Sequence, residues 1–146
     1  MTEASPVSTK LYTPQLLSLS AELANYPLID TYDRIAETRS RTCGSTLELG
    51  VSLDSNGQIS RLGMQVTACA VGQSSAALMA LASKGKSEAD LRETLLAIEE
   101  WLGSMGPLPN WPGFDALEPA LPHKARHGAL LLPWKAMQQA LSSQAS

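Results

Sequence analysis

Leu47, Leu49, Val51 and Leu53 alternate with Thr46, Glu48, Gly50 and Ser52. That period of two constrains the fold more than any other feature of the chain, because it predicts a strand with one buried face. Asp54-Ser55-Asn56-Gly57 follows as a turn signal, since Asn-Gly accepts the positive φ that tight hairpins need. Ile59, Leu62, Met64 and Val66 supply a return strand, with Gly63 expected at a bend or bulge. Cys43 lies just before the outgoing strand and Cys69 at the end of the return strand. An antiparallel hairpin brings those ends together, so two cysteines far apart in sequence are predicted to be neighbours in space.

The flanking segments read as helices. Thr13-Pro14 resembles an N-cap with proline at the first helical position. Leu16, Leu19 and Leu23 then mark one helical face, and Tyr26-Pro27 ends it. Residues 28–42 show no clear period and are expected to be mostly irregular, with a strand near 37–42. The alanine-rich run from Val71 to Ala82 favours a helix, with Gly85 as its C′ residue. Ser87-Glu88-Ala89-Asp90 resembles a capping box. Leu91, Leu95, Ile98 and Leu102 continue as an amphipathic face that Gly103 ends.

Residues 106–122 hold five of the nine prolines and predict a structured loop with a short helix near 114–118. The last helix is expected over 133–142, or from about Ala125 with a kink at Pro133. The resulting fold class is α+β: a small antiparallel sheet built on the hairpin, with helices packed against it. At 146 residues the chain reads as a single domain, 1–146, with a loose N-terminus over 1–12.

Hydrophobic residues make up 44% of the chain and charged residues 17%, enough apolar surface to offset the entropy of ordering. A net charge of −3 argues against nucleic acid as a partner. The start shows no basic stretch leading into an apolar run, and no apolar run approaches the roughly 20 residues that span a bilayer. The expectation is a soluble cytoplasmic protein with no membrane partner and with reduced thiols.

Among residues able to carry chemistry, Cys69 stands out. A position just before a helix start stabilises a thiolate, through the partial positive charge and free N–H groups there. The competing reading is a buried small hydrophobe, which applies equally to Cys43. Thiolates favour zinc or iron over hard cations. His123 and His127 are the two histidines; on one helix they would share a face and form a possible ligand pair. Trp101, Trp111 and Trp134 read as core and loop anchors.

From about Arg41 to Leu141 the chain resembles the N-terminal domain of NifU and the IscU-like iron–sulfur cluster scaffolds. The resemblance rests on Cys43-Gly44-Ser45, on Ala68-Cys69-Ala70-Val71-Gly72 with Gln73-Ser74-Ser75-Ala76 after it, and on Arg126-His127-Gly128. The family pattern has Cys-Gly-Asp, a cysteine-containing turn after the hairpin, and a late His-Cys. Here Ser45 stands where the family has its aspartate, and Gly128 where it has its third cysteine. The resemblance selects His127 rather than His123. It implies Cys43, Cys69 and His127 as cofactor-binding and metal ligands for iron or an iron–sulfur cluster, [2Fe–2S] in type, with zinc as another possible metal.

The resemblance also implies a cysteine desulfurase and apo iron–sulfur proteins as partners, and a scaffold rather than an enzyme. Leu121-Pro122-His123-Lys124-Ala125 keeps only the first two residues of the family's Leu-Pro-Pro-Val-Lys stretch, which argues against an Hsp70-type chaperone. Three functions compete at this point. The first is a cluster scaffold or carrier that uses all three ligands. The second is a persulfide acceptor that needs Cys69 alone. The third is a zinc-binding regulatory relative that has lost assembly.

Overall fold

The computed structural model describes residues 11–29, 31–41 and 44–142. Helix α1 spans Pro14–Glu22 and runs on into a 3-10 turn, Leu23–Asn25. The Thr13 hydroxyl caps α1 by accepting from the Leu16 N–H at 3.1 Å. Leu16 is fully buried, while Leu19 and Leu23 pack at the edge of the core. Residues 1–10 of the expected loose terminus lie outside the described residues; Leu11 is buried and Tyr12 packs on the core.

Strands β1 (Arg34–Arg39), β2 (Thr46–Leu53) and β3 (Ile59–Thr67) form an antiparallel sheet in that order. The period-two reading of β2 holds, with Leu47, Leu49 and Val51 facing inward beside Val66, Met64 and Leu62 of β3. The hairpin turn is closed by the Gly57 N–H on the Asp54 carbonyl, at a Gly57 φ of +77°. The Asp54 carboxylate also accepts from the N–H groups of Asn56 and Gln58.

β1 occupies 34–39 rather than 37–42. Its inward residues are Arg34, Ala36 and Thr38, whereas Ile35, its one large apolar residue, is 61% exposed. The alternation that would announce this strand is therefore inverted. Gly63 also differs from expectation. It sits in regular register opposite Gly50, and the irregularity falls at Ser52/Leu53. The two glycines form a cleft for the Tyr32 ring, and a Cβ on either would overlap that ring. The Tyr32 hydroxyl donates to the Pro27 carbonyl, and the Arg61 guanidinium lies 4.9 Å from the ring centre.

Helix α2 (Ala70–Leu81) follows β3 directly. Gly85 is left-handed, at φ +88°, but it lies in the turn beyond the α2 C-cap, where its N–H donates to the Ile59 carbonyl. Helix α3 (Glu88–Leu102) begins with the expected capping box between Ser87 and Asp90 and ends at Gly103. The proline-rich loop contains a 3-10 helix, Phe114–Ala120.

Helix α4 spans His127–Ser142, so it begins six residues before Pro133 and continues through it. Pro133 has no N–H to offer the Ala129 carbonyl, and that carbonyl lies against Gly72 of α2. α4 packs across the inner face of β1 and β2, with α2 and α3 beside it. Trp134 is fully buried, 4.9 Å from Trp111 in an edge-on arrangement. Trp101 stacks edge-on with Phe114, so all three tryptophans are core anchors. Among the described residues, no helix is long and apolar enough to cross a membrane.

Candidate functional site

Three chain segments converge at one end of the sheet. Thr46 opposes Thr67, so the start of β2 and the end of β3 lie side by side. The β1–β2 connection therefore reaches the same end as the β3–α2 junction. That connection is tight: the Ser40 N–H donates to the Ser45 carbonyl, the Gly44 N–H to the Ser40 carbonyl, and Gly44 adopts φ +73°. Ser45 is buried. Cys43 lies outside the described residues; Arg41 and Gly44 on either side of it belong to this connection.

Cys69 is the N-cap of α2, with φ −68° and ψ 173°. It carries a free thiol and is half-buried. Its side chain makes no capping hydrogen bond, unlike the N-cap side chains of Thr13 and Ser87 in the same protein. Its sulfur is thus uncommitted at a helix end rich in free N–H groups. The fold holds the entry to α2 by other means: the Gln73 side-chain amide donates to the Ala68 carbonyl at 2.9 Å.

His127 is the first residue of α4 and is half-buried. Its Nε2 lies 2.8 Å from the Leu121 carbonyl. A carbonyl only accepts, so Nε2 carries the proton, and in the neutral ring Nδ1 keeps a lone pair. Ligating histidines are commonly oriented in this way, by donating the other ring N–H to a backbone carbonyl.

The helices that carry these two residues are neighbours running in the same direction. Gly72 meets Ala129 near their starts. One turn further on, the Ser75 hydroxyl donates to the Leu130 carbonyl at 2.6 Å and accepts from the Trp134 indole N–H at 2.8 Å. The N-termini of α2 and α4 therefore lie at the same end of the protein, and two aligned helix dipoles favour negative charge there. The closeness depends on small residues: a Cβ on Gly72 would stand 2.7 Å from the Ala68 Cβ and 3.3 Å from the Ala129 Cβ.

The pairing of His123 with His127 on one helix does not occur. His123 lies in the turn ahead of a 3-10 segment, Lys124–Arg126. It lines a groove of about 880 Å3 with Thr13, Gln15, Asp115 and Glu118. Lys124 is exposed and Arg126 half-buried. Among the described residues, no group of three or more His, Cys, Asp or Glu is arranged to hold a metal ion. Sequence reasoning gave Gln73 no role of its own beyond the resemblance; its signal was a glutamine four residues after an N-cap, able to fold back over the first turn.

No family model matches the chain, and no curated protein matches it in sequence. Solved structures do. A nitrogen-fixing NifU-like protein (N-terminal) from Brucella abortus is similar at a TM-score of 0.84 and 27% identity, over 93% of this chain and 95% of that one. A protein assigned as an iron–sulfur cluster assembly scaffold for the SUF system, from Fervidobacterium islandicum AW-1, is similar at a TM-score of 0.81 and 21% identity, over 90% and 96%. A hypothetical protein is similar at a TM-score of 0.70 and 20% identity, over 88% and 97%. In fold, and over nearly its whole length, this chain resembles the NifU N-terminal and SufU iron–sulfur scaffold proteins.

Proposed function

We propose that this protein is an iron–sulfur cluster assembly scaffold or carrier, binding iron or a [2Fe–2S] cluster as cargo through Cys43, Cys69 and His127. The observation that carries the reading is the meeting of two helix N-termini, one bearing the uncommitted Cys69 thiol and the other a His127 ring oriented by Leu121. This arrangement occurs on a fold shared with cluster scaffolds. Thiolate sulfur and an imidazole nitrogen suit iron, and paired helix ends offset the negative charge of a thiolate-bound cluster.

Three protein ligands leave a coordination position open, because Gly128 offers no side chain. A site of that kind holds its cargo less firmly and releases it by ligand exchange to an apo-protein. The protein binds and hands on rather than turning over a substrate, with a cysteine desulfurase as its sulfur source. Zinc is another ion such a donor set accepts.

The same geometry supports a second reading, favoured by the half-exposed free thiol of Cys69. In it, the Cys69 thiolate attacks the terminal sulfur of a desulfurase persulfide. The S–S bond breaks, the desulfurase cysteine leaves as a thiolate, and Cys69 becomes the persulfide.

Anaerobic reconstitution with iron and sulfide, followed by visible absorption, tests the scaffold reading. The expected result is a charge-transfer spectrum that is lost in Cys43→Ala, Cys69→Ala and His127→Ala. A spectrum indifferent to these substitutions, or none in the wild type, refutes it. Persulfide uptake that needs Cys69 but not Cys43 then identifies the sulfur acceptor, and tight zinc without cluster identifies the zinc-binding relative.

A further inference from the structure

We propose that Gln73 is a positioning residue for Cys69. Its side-chain amide holds the Ala68–Cys69 peptide so that the cysteine sulfur faces the site instead of capping its own helix. This rests on the reading of Cys69 as the reactive ligand.

The argument comes from comparing helix starts within one molecule. Thr13 and Ser87 each occupy an N-cap, and each side-chain oxygen accepts from a backbone N–H three residues on, at 3.1 and 3.2 Å. That is the usual way a helix start is held. Cys69 occupies the same position before α2 with extended backbone angles, yet its side chain caps nothing. Sulfur is a weak acceptor, so the helix must be anchored otherwise. The Gln73 N–H donates to the Cys69 carbonyl as Leu17 and Leu91 do to Thr13 and Ser87; what differs at this helix start is the Gln73 side-chain amide, which donates to the Ala68 carbonyl of the peptide leading into Cys69.

Behind this clamp, Gly72 packs against Ala68 and Ala129. The clamp therefore ties the cysteine backbone to the seam between α2 and α4, the seam that also sets His127. Without the amide, the Ala68–Cys69 peptide is free to rotate, and the sulfur can settle onto the free N–H groups of the first turn.

The test uses two readouts. Cobalt(II) titration, followed by sulfur-to-cobalt charge-transfer and d–d absorption, reports the strength and geometry of the site. Alkylation of Cys69 by iodoacetamide in a Cys43→Ser background reports presentation of the thiol with no metal involved. Gln73→Met keeps length and shape but cannot donate, and Gln73→Ala takes its place should the methionine variant not fold.

Expected are a loss of cobalt affinity of about tenfold, the scale of lost outer-shell support for a metal ligand, shifted d–d bands, and alkylation slowed severalfold. A folded variant that alkylates at the wild-type rate overturns the role of Gln73, whatever the cobalt result. Slowed alkylation combined with no cobalt binding by the wild-type protein instead supports the role of Gln73 and counts against the scaffold reading. The two failures are thereby told apart.

Discussion

Gly72→Ala sets two physical effects against each other. Judged on propensity alone, alanine in the first turn of α2 should stabilise the helix by up to about 1 kcal/mol relative to glycine. The structure predicts the opposite. The new Cβ would stand 2.7 Å from the Ala68 Cβ, closer than real Cβ atoms approach, and 3.3 Å from both the Cβ and the carbonyl oxygen of Ala129. None of these atoms is the far end of a flexible side chain. Relief requires the α2 and α4 backbones, or the β3–α2 junction, to move by several tenths of an ångström.

Overpacking of this kind costs about 1–3 kcal/mol. Set against the propensity gain, the net expectation is a protein less stable by about 1 kcal/mol, with a thermal midpoint a few degrees lower. The displacement falls on Ala68, whose carbonyl holds Gln73, and on the start of α4, which carries His127. Iron and sulfide loading should therefore fall by more than the stability loss accounts for. Urea unfolding and visible absorption on the same preparation measure both. A variant more stable by about 1 kcal/mol, with wild-type loading, would refute the argument that this close approach sets the site.

Three further perturbations probe the frame around the site. Ser75→Ala removes the hydroxyl shared by the Leu130 carbonyl and the Trp134 indole N–H, both buried. It should cost about 3 kcal/mol in urea unfolding and shift tryptophan emission, because the indole N–H is left without its acceptor. Ser87→Ala removes half of the α3 capping box and should cost about 1 kcal/mol. The Ser87 backbone N–H on the Asp90 carboxylate holds that carboxyl below its ordinary value. The contribution of Asp90 is thus complete above the unfolded carboxylate range and is lost as pH falls through the lowered folded value. A stability profile from pH 7 downward should lose less on its acid limb in Asp90→Asn, which removes the titrating carboxylate, while an unchanged limb would count against the box.

Local chemistry made much of this protein legible from its residues. The β2–β3 hairpin, its Asn-Gly turn, the helix after Cys69 and the Ser87 cap each depend on contacts within a few positions, which spacing and side-chain type report directly. The placement of Cys69 at a helix start was readable for the same reason. Strand β1 was harder, because Ile35 points outward and its inward side is Arg34, Ala36 and Thr38. Pro133 suggested a helix start, yet α4 begins six residues earlier and carries Pro133 inside it as a buried residue.

What the chain determined by itself was the set of short-range elements and the presence of thiol and imidazole side chains near their ends. The tertiary structure decided that α2 and α4 run side by side in the same direction, joined by Ser75, Trp134 and the Gly72–Ala129 approach. It also decided that Leu121 orients the His127 ring and Gln73 the Cys69 backbone. The pairing of Cys69 with His127 at one end arises from the fit between two surfaces more than fifty residues apart in sequence, and no local pattern of side chains encodes such a fit.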